Sequence, residues 1–190
     1  MIIRNEQPGD ASALHNVHCA AFPTDAEARL VDRLRANSHG PISLVAEIDG
    51  LVVGHILFSP VSIDGNPEVA GGLGLAPVAV LPAWQRQGVG SRLIEAGLAA
   101  CRKQGFRFVV VLGHVAYYPK FGFQKASLFG LDNEYGVDDE FMVLQLQPGS
   151  LPGQGGPGQI RPGVFGVGRL IDAGSQALPG NPVGPASACC

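Results

Sequence analysis

The sequence predicts an α/β (α+β) domain in which helices pack on one mixed sheet, and three observations lead to that prediction. Residues 43–58 form two β-rich runs joined by Asp49-Gly50, the dipeptide typical of type I′ hairpin turns. Residues 73–112 follow the order strand, helix, strand, which is the pattern of two parallel strands joined by a crossover helix. Residues 141–146 (FMVLQL) have the character of an antiparallel strand at or near a sheet edge.

The N-terminal residues predict a short strand followed by a helix. Ile2–Arg4 form the strand, and Asp10 follows a Pro-Gly turn, where its side chain can cap a helix ending near Ala21. His15 and His18 lie three residues apart on that helix, so a metal site is one interpretation. Because a zinc site needs more protein ligands and no further Cys/His cluster supplies them, we expect both histidines on the solvent face and no metal.

A capping box predicts the start of a second helix. Thr24 stands three residues before Glu27, so each side chain can accept a bond from a free backbone N–H at the other end of the box. We assign Glu27 this structural role in preference to a catalytic one. The segment 37–41, which contains Gly and Pro, ends the helix.

The composition excludes several classes of partner. The chain has 190 residues, of which 46% are hydrophobic, and a net charge of −3, which suits a globular protein. Its 13 basic residues are scattered rather than clustered, so nucleic acid is not an expected partner. No apolar run reaches the roughly 18 residues of a membrane span, and no signal peptide is visible. We therefore expect a cytoplasmic protein without a membrane partner.

The composition changes after residue 147. Residues 148–190 contain 11 Gly and 7 Pro, with few aromatic or branched side chains. Such a segment cannot bury enough apolar surface to offset the entropy lost when it is ordered. We therefore predict a folded domain over residues 1–147 and a disordered Gly/Pro-rich tail over residues 148–190.

A glycine-rich turn lies at the centre of the chain. An apolar strand ends near Leu81, the turn carries Gly88 and Gly90, and a helix begins at Val89. Unpaired N–H groups and the helix dipole make such a turn a phosphate-binding cradle. A Walker loop is excluded because no Lys of the chain is followed by Ser or Thr. A dinucleotide fingerprint is excluded because its third glycine position holds Leu93.

The motif Gln85-x-x-Gly88-x-Gly90, placed after an apolar strand, resembles motif A of the GNAT (Gcn5-related) N-acetyltransferases, whose pattern is Gln/Arg-x-x-Gly-x-Gly/Ala. The resemblance covers about residues 1–147. The hairpin and then Tyr118–Phe123 (YPKFGF), which matches the family's Tyr-x-x-x-Gly-Phe, occur in the family's order. The resemblance implies a mixed, mostly antiparallel sheet of six to seven strands, with a central splayed parallel pair and helices on both faces.

The resemblance also implies that acetyl-CoA is the co-substrate. Backbone N–H groups at the start of the helix would hold its pyrophosphate, and its pantetheine arm would lie along the preceding strand. Pro77 has no N–H to give to a sheet ladder, which suits a bulged or splayed strand at this point. The residues expected to bind the cofactor are Val78, Ala79, Val80, Gln85, Arg86, Gln87, Gly88, Val89, Gly90 and Ser91.

The implied reaction is direct attack of an amine on the thioester, which requires an acid for the departing thiolate and a base for the ammonium. Tyr118 aligns with the family's usual tyrosine and is the candidate acid; the alternative is a tyrosine that only packs against its neighbouring phenylalanines. His114 follows the buried strand and is the first candidate base, with Glu27, Glu68 or water as rivals.

Two functions remain open. The first is an acetyl-CoA-dependent N-acetyltransferase that acts on a primary amine of a small molecule or a protein. The alternative is a non-catalytic acyl-CoA-binding or sensor module that uses the same cradle without turnover. No diagnostic charge cluster identifies the amine, and because dimers are common in the family, the resemblance also admits a homodimer.

Overall fold

One sheet forms the centre of the structure, a computed structural model that describes residues 1–37, 42–64, 71–133, 135–151 and 158–162. In chain order its strands are β1 (Ile2–Asn5), β2 (Ile42–Ile48), β3 (Leu51–Asp64), β4 (Gly72–Val80), β5 (Phe108–Leu112), β6 (Gln124–Lys125), β7 (Leu131–Asn133), β8 (Phe141–Gln145) and β9 (Gly158–Pro162). The α-helices of the described residues are α1 (Ala11–Ala21), α2 (Ala26–Asn37) and α3 (Val89–Lys103).

The sheet is mixed and mostly antiparallel. Its main path runs β1-β2-β3-β4-β5-β8-β6, so β4 and β5 lie at the centre, and this central pair is parallel. The neighbouring pairs on the path are antiparallel. These findings confirm the predicted sheet with its central parallel pair. Strand β8 lies one position from the edge, as its sequence indicates.

Strand β9 lies in the segment that the sequence assigns to the tail. It pairs antiparallel with β3 and parallel with β7, so residues 158–162 belong to the sheet. The physical reason is that a ladder is made by backbone N–H and C=O groups and does not need apolar side chains. The other tail residues beyond Leu151 lie outside the described residues.

The predicted hairpin is confirmed. Asp49 and Gly50 have φ values of 50° and 80°, the positive angles that a type I′ turn requires at both central positions. The register between β2 and β3 shifts between Ala46 and Glu47, which adds one bulged residue to the β3 side. The hairpin therefore pairs from Ile48 and Leu51 outward.

Helices cover both faces of the sheet, as expected. Helix α3 buries Leu93 and Ile94 in a cluster that also contains Phe58 of β3. Helix α1 buries Leu14 and Val17 on the opposite face, and α2 packs beside it. Because successive side chains of a strand point to opposite faces, each central strand packs against the helices on both faces of the sheet.

Three side chains of the N-terminal region differ from the prediction. Asp10 makes no side-chain cap at α1, because its carboxylate instead accepts bonds from Arg4 at 2.7 and 3.0 Å. The guanidinium of Arg4 lowers the pKa of Asp10 below its ordinary value. The Thr24 hydroxyl donates a hydrogen bond to the Glu27 carboxylate at 3.4 Å, so the two side chains do not form the full capping box with the backbone. His18 is completely buried, so only His15 faces solvent.

None of the described helices is long and apolar enough to cross a membrane.

Candidate active site

The site begins where the central parallel pair ends. The β4–β5 ladder covers only Gly72–Leu75 of β4, and β4 continues to Val80 beyond it. The ladder between β4 and β3 shifts register opposite Ala76-Pro77, at the place where the sequence predicts a bulge. Residues 78–80 therefore pair with β3 on one side and extend past β5 on the other. This is the splayed end of the pair.

The glycine-rich turn follows the end of β4 directly. Its two glutamine side chains brace the turn from within, because Gln85 Nε2 donates to the Val80 carbonyl at 2.9 Å and Gln87 Nε2 donates to the Ala83 carbonyl at 2.9 Å. Gly88 immediately precedes α3 and has φ = 84°, a conformation that glycine adopts without strain. Side-chain amides thus hold the turn, together with the Gln85 N–H, which donates to the Pro82 carbonyl at 3.3 Å.

The start of α3 is open to an anion. The bond from the Arg92 N–H to the Gly88 carbonyl, at 3.1 Å, closes the first turn. Within the described chain, the N–H groups of Val89, Gly90 and Ser91 have no backbone acceptor. No acidic residue lies in the first turn, so nothing there opposes the positive end of the helix dipole.

A lysine missed by the sequence reasoning completes this cradle. Lys120 Nζ donates to Ser91 Oγ at 3.1 Å and lies 3.7 Å from the centroid of the Tyr117 ring. The Tyr117 hydroxyl lies 3.4 Å from Ser91 Oγ. A Cβ at position 90 would lie 3.3 Å from the same hydroxyl oxygen, so the glycine at position 90 leaves room for the Tyr117 side chain. The cradle therefore combines free N–H groups with an ammonium group, a combination that fits a phosphate. No sequence signal distinguishes this lysine from the two others.

Tyr118 lies apart from the cradle, at the start of a short 3₁₀ turn that runs to Phe121. The side chain is buried, and its ring contacts Gly113 and meets Phe123 edge to face, with the centroids 5.7 Å apart. Burial raises the pKa of its hydroxyl well above the ordinary value, so the group stays protonated. In the described part of the chain this hydroxyl has no hydrogen-bond partner. It can therefore donate to a bound molecule.

His114 lies in the loop after β5, and its ring is exposed. Its Nδ1 lies 3.2 Å from the Ala116 N–H and accepts a bond from it, which places the proton of the neutral ring on Nε2. The structure thus separates the candidates: the expected cofactor residues come together at the end of β4 and the start of α3, whereas Tyr118 and His114 follow β5.

Comparison with family models gives a match that includes β4, the glycine-rich turn and α3. The Acetyltransferase (GNAT) family model matches residues 11–123. The chain belongs to the GNAT acetyltransferase family. As a GNAT protein it is an N-acetyltransferase, and its open α3 start and splayed β4 end correspond to the features that its motif predicts.

Two similar proteins come from Escherichia coli K12. The chain is 37% identical over 155 residues to the uncharacterized N-acetyltransferase YhbS, covering 80% of this chain and 92% of YhbS. It is also 37% identical over 153 residues to the uncharacterized N-acetyltransferase YjhQ, covering 76% of this chain and 84% of that protein.

Two similar solved GNAT structures contain CoA or acetyl-CoA. The structure of E. coli YhbS in complex with CoA has a TM-score of 0.75 and 32% identity, covering 84% of this chain and 89% of YhbS. A GNAT acetyltransferase from Brucella melitensis in complex with acetyl-CoA has a TM-score of 0.67 and 40% identity, covering 84% of this chain and 93% of that one. In the described residues of this GNAT chain, no group of three or more His, Cys, Asp and Glu is placed to hold a metal ion.

Proposed function

We propose that this protein transfers an acetyl group from acetyl-CoA to a primary amine of a small molecule or a protein. The observation that carries the proposal is the open start of α3, with the Lys120 ammonium bonded to Ser91, next to the splayed end of β4. Similar GNAT proteins bind CoA and acetyl-CoA, which supports the same ligand here.

The cradle fits acetyl-CoA in two parts. Backbone N–H groups of residues 87–91, together with the Lys120 ammonium group, would hold the pyrophosphate. Arg86 and Arg92, which are both exposed, would add positive charge nearby. The backbone of Val78–Val80, which continues past β5, would bond the pantetheine amides. When bound, acetyl-CoA supplies an activated thioester carbonyl, and the chain supplies the groups that hold and polarise it.

Tyr118 is the proposed hydrogen-bond donor to the departing sulfur. Its raised pKa makes it a donor that keeps its own proton at neutral pH, and its hydroxyl has no competing partner in the described chain. We expect Tyr118→Phe to lower kcat by about a hundredfold while the Kd for acetyl-CoA stays nearly constant. Tyr117→Phe is the comparison, because it removes an adjacent hydroxyl that belongs to the cradle, so its effect is expected on the Kd for acetyl-CoA rather than on kcat. An unchanged rate in Tyr118→Phe would remove this residue from the mechanism.

His114 remains the base proposed from the sequence. Its exposed ring can exchange protons with water, although its Nδ1 is engaged by Ala116. We expect His114→Gln to lower kcat at least about tenfold at neutral pH if this ring removes the proton. The same kcat in His114→Gln and in the parent protein would assign the base elsewhere.

Two measurements test the function itself. Isothermal titration with acetyl-CoA is expected to show binding, and no detectable binding would refute the proposal. Release of CoA thiol is then measured with four primary amines: ethylamine, spermidine, an aminoglycoside and a lysine-containing peptide. CoA release with at least one of them supports transfer to an amine. Tight binding without release from any amine favours the non-catalytic acyl-CoA module instead.

A further inference from the structure

A glutamate near the start of α2 is buried without a cation to balance its charge. Glu27 keeps only 6% exposure, and its carboxylate accepts a hydrogen bond from the Thr24 hydroxyl at 3.4 Å. Among the described residues, no Lys, Arg or His forms an ion pair with it. The buried carboxylate of Asp10, by contrast, is paired with Arg4 at 2.7 Å. Because buried charges are normally paired, a bound cation would complement Glu27.

The packing of α2 shows which way Glu27 faces. Leu30, Val31 and Leu34 of this helix are buried in one cluster with Leu57 of β3. Glu27 precedes Leu30 by three residues and Val31 by four, so it lies on the same face of the helix, one turn nearer the N-terminal end. The face that carries Glu27 is therefore the face that α2 turns to the sheet.

A row of paired residues crosses the sheet beneath α2. The N–H of Glu6, which follows β1, donates to the Ser43 carbonyl of β2 at 3.0 Å. Ser43 pairs in turn with Leu57 of β3. Leu57 lies opposite the register shift at Ala76-Pro77 in β4, since Ile56 pairs with Val78 and Phe58 with Leu75. The row thus ends at the place where the central parallel pair splays.

Helix α2 lies along this row. Near its C-terminal end, Arg35 Nε donates to Glu6 at 2.6 Å, beside β1, whereas the middle of the helix packs on Leu57 of β3. From Arg35 back to Glu27 the helix rises by about 12 Å, and the two strand spacings from β1 to β3 take about 10 Å. The first turn of α2, with Glu27, therefore reaches past β3 toward the splayed end of β4.

Strand β4 carries small side chains on the face that α2 covers. Leu73 and Leu75 pack in the cluster under α3, so Gly74 and Ala76 point to the opposite face. On that opposite face, the cluster under α2 and the cluster that contains Val110 of β5 are separate. Strand β4 thus places no large side chain between the first turn of α2 and the splay. The cofactor cradle at α3 and Glu27 belong to opposite faces of β4.

We propose that the Glu27 carboxylate binds the ammonium group of the acceptor amine and so selects substrates that are positively charged. The proposal rests on the proposed function, in which the thioester lies at the splayed end of β4. The ammonium N–H groups would donate charge-assisted hydrogen bonds to the carboxylate. Glu27 takes no proton in this contact, so it is a substrate-binding residue, and removal of the proton stays with the base.

The first test uses the parent protein and two small molecules of one shape. N-methylguanidinium is a planar cation, whereas N-methylurea has nearly the same shape and no charge. At constant ionic strength, we expect millimolar N-methylguanidinium to inhibit CoA release in competition with the amine, and N-methylurea at the same concentration to have no effect. Equal inhibition by the two compounds, or no inhibition by either at concentrations above the amine KM, overturns the proposal.

The second test removes the charge and keeps the shape of the side chain. Glu27→Gln retains an oxygen that can accept from the Thr24 hydroxyl. With the best of the four amines, we expect this variant to raise the amine KM about tenfold to a hundredfold, with the Kd for acetyl-CoA unchanged and inhibition by N-methylguanidinium lost. Glu95→Gln is the control, because it makes the same change at an exposed position of α3, and it is expected to change none of these constants.

Thr24→Ala separates binding of the amine from support of the helix. It removes the Thr24 hydroxyl, which donates to Glu27 and accepts from the Ala26 N–H, both at 3.4 Å. We expect a lower Tm for this variant but an amine KM within about threefold of the parent value. An equal rise of the amine KM in Thr24→Ala and Glu27→Gln would mean that Glu27 only supports the helix, which overturns the proposal.

Two further results decide against the role of Glu27. An unchanged amine KM in a folded Glu27→Gln protein overturns the proposal, and so does a loss of kcat at an unchanged amine KM, which would make Glu27 the base. Either result leaves the proposed function intact. If Glu27→Gln does not fold, the comparison of N-methylguanidinium with N-methylurea on the parent protein decides. A parent protein that releases no CoA with any amine refutes the proposed function and this inference together.

Discussion

Gly113 is the position at which a single methyl group tests the role of Tyr118. A Cβ at this position would lie 2.2 Å from Tyr118 Cε2 and 2.9 Å from Cδ2. Carbon atoms in contact normally lie about 3.5 Å apart, so the ring or the backbone must move by roughly 1.3 Å. The backbone is held because the Gly113 N–H donates to the Glu140 carbonyl at 2.9 Å. We therefore expect Gly113→Ala to displace the buried Tyr118 ring.

Two effects of Gly113→Ala can be given magnitudes. Overpacking of a core costs about 1–3 kcal/mol, which for a chain of this length lowers Tm by roughly 2–12 °C. Displacement of a catalytic group by about 1 Å lowers the rate by about a hundredfold. We expect both effects in Gly113→Ala, with the Kd for acetyl-CoA nearly unchanged, because Gly113 does not belong to the cradle.

Gly97→Ala is the control for Gly113→Ala. A Cβ at position 97 would lie 2.3 Å from Phe58 Cε2, so this variant overpacks the core between α3 and the sheet to a similar degree. We expect a comparable loss of Tm, measured by thermal unfolding, but a kcat for CoA release within about threefold of the parent value. A folded Gly113→Ala protein with the parent rate, or an equal loss of rate in both variants, would refute the role of the Tyr118 ring position.

Two further predictions concern the cradle and the buried histidines. Lys120→Ala removes the ammonium group at the start of α3, so we expect the Kd for CoA, measured by isothermal titration, to rise about tenfold or more. Lys103→Ala at the exposed C-terminal end of the same helix should leave this Kd unchanged. Burial lowers the pKa of His18 to about 3 and that of His55 well below its ordinary value, so below about pH 6.5 the unfolded chain binds protons that the folded chain does not. The free energy of unfolding is therefore highest above that pH and falls as the pH falls toward 3. Urea unfolding at pH 7.5 and 5.5 should show the decline, and a folded His18→Leu variant should show a shallower one.

The elements that the sequence predicts well are those with strong local signals. Asp49-Gly50 requires positive φ angles that only a few turn types provide, so the hairpin and its register follow from the dipeptide. The turn with Gly88 and Gly90 follows from the change of pattern between an apolar strand and an amphipathic helix. In both places the constraint acts over a few neighbouring residues.

The predictions about Asp10 and His18 failed for one shared reason. Asp10 has the sequence position of a cap, but the strand next to it presents Arg4, and an ion pair outcompetes a bond to a helix N–H. His18 looks like a polar residue of an exposed helix face, but His55, 37 residues away, supplies a buried partner. A polar group enters a core when a partner meets it there, and local sequence does not reveal that partner.

The sequence alone therefore determined the hairpin, the strand–turn–helix of the cradle and, through its motif, the acetyltransferase family. Those features depend on backbone conformation and periodicity, which neighbouring residues control. Only the tertiary structure decided that Lys120 meets Ser91, that β9 joins the sheet, and that His18 meets His55 in the core. These contacts join residues far apart in the chain, and their energies depend on burial and on hydrogen-bond partners that exist only once the sheet and its helices have packed.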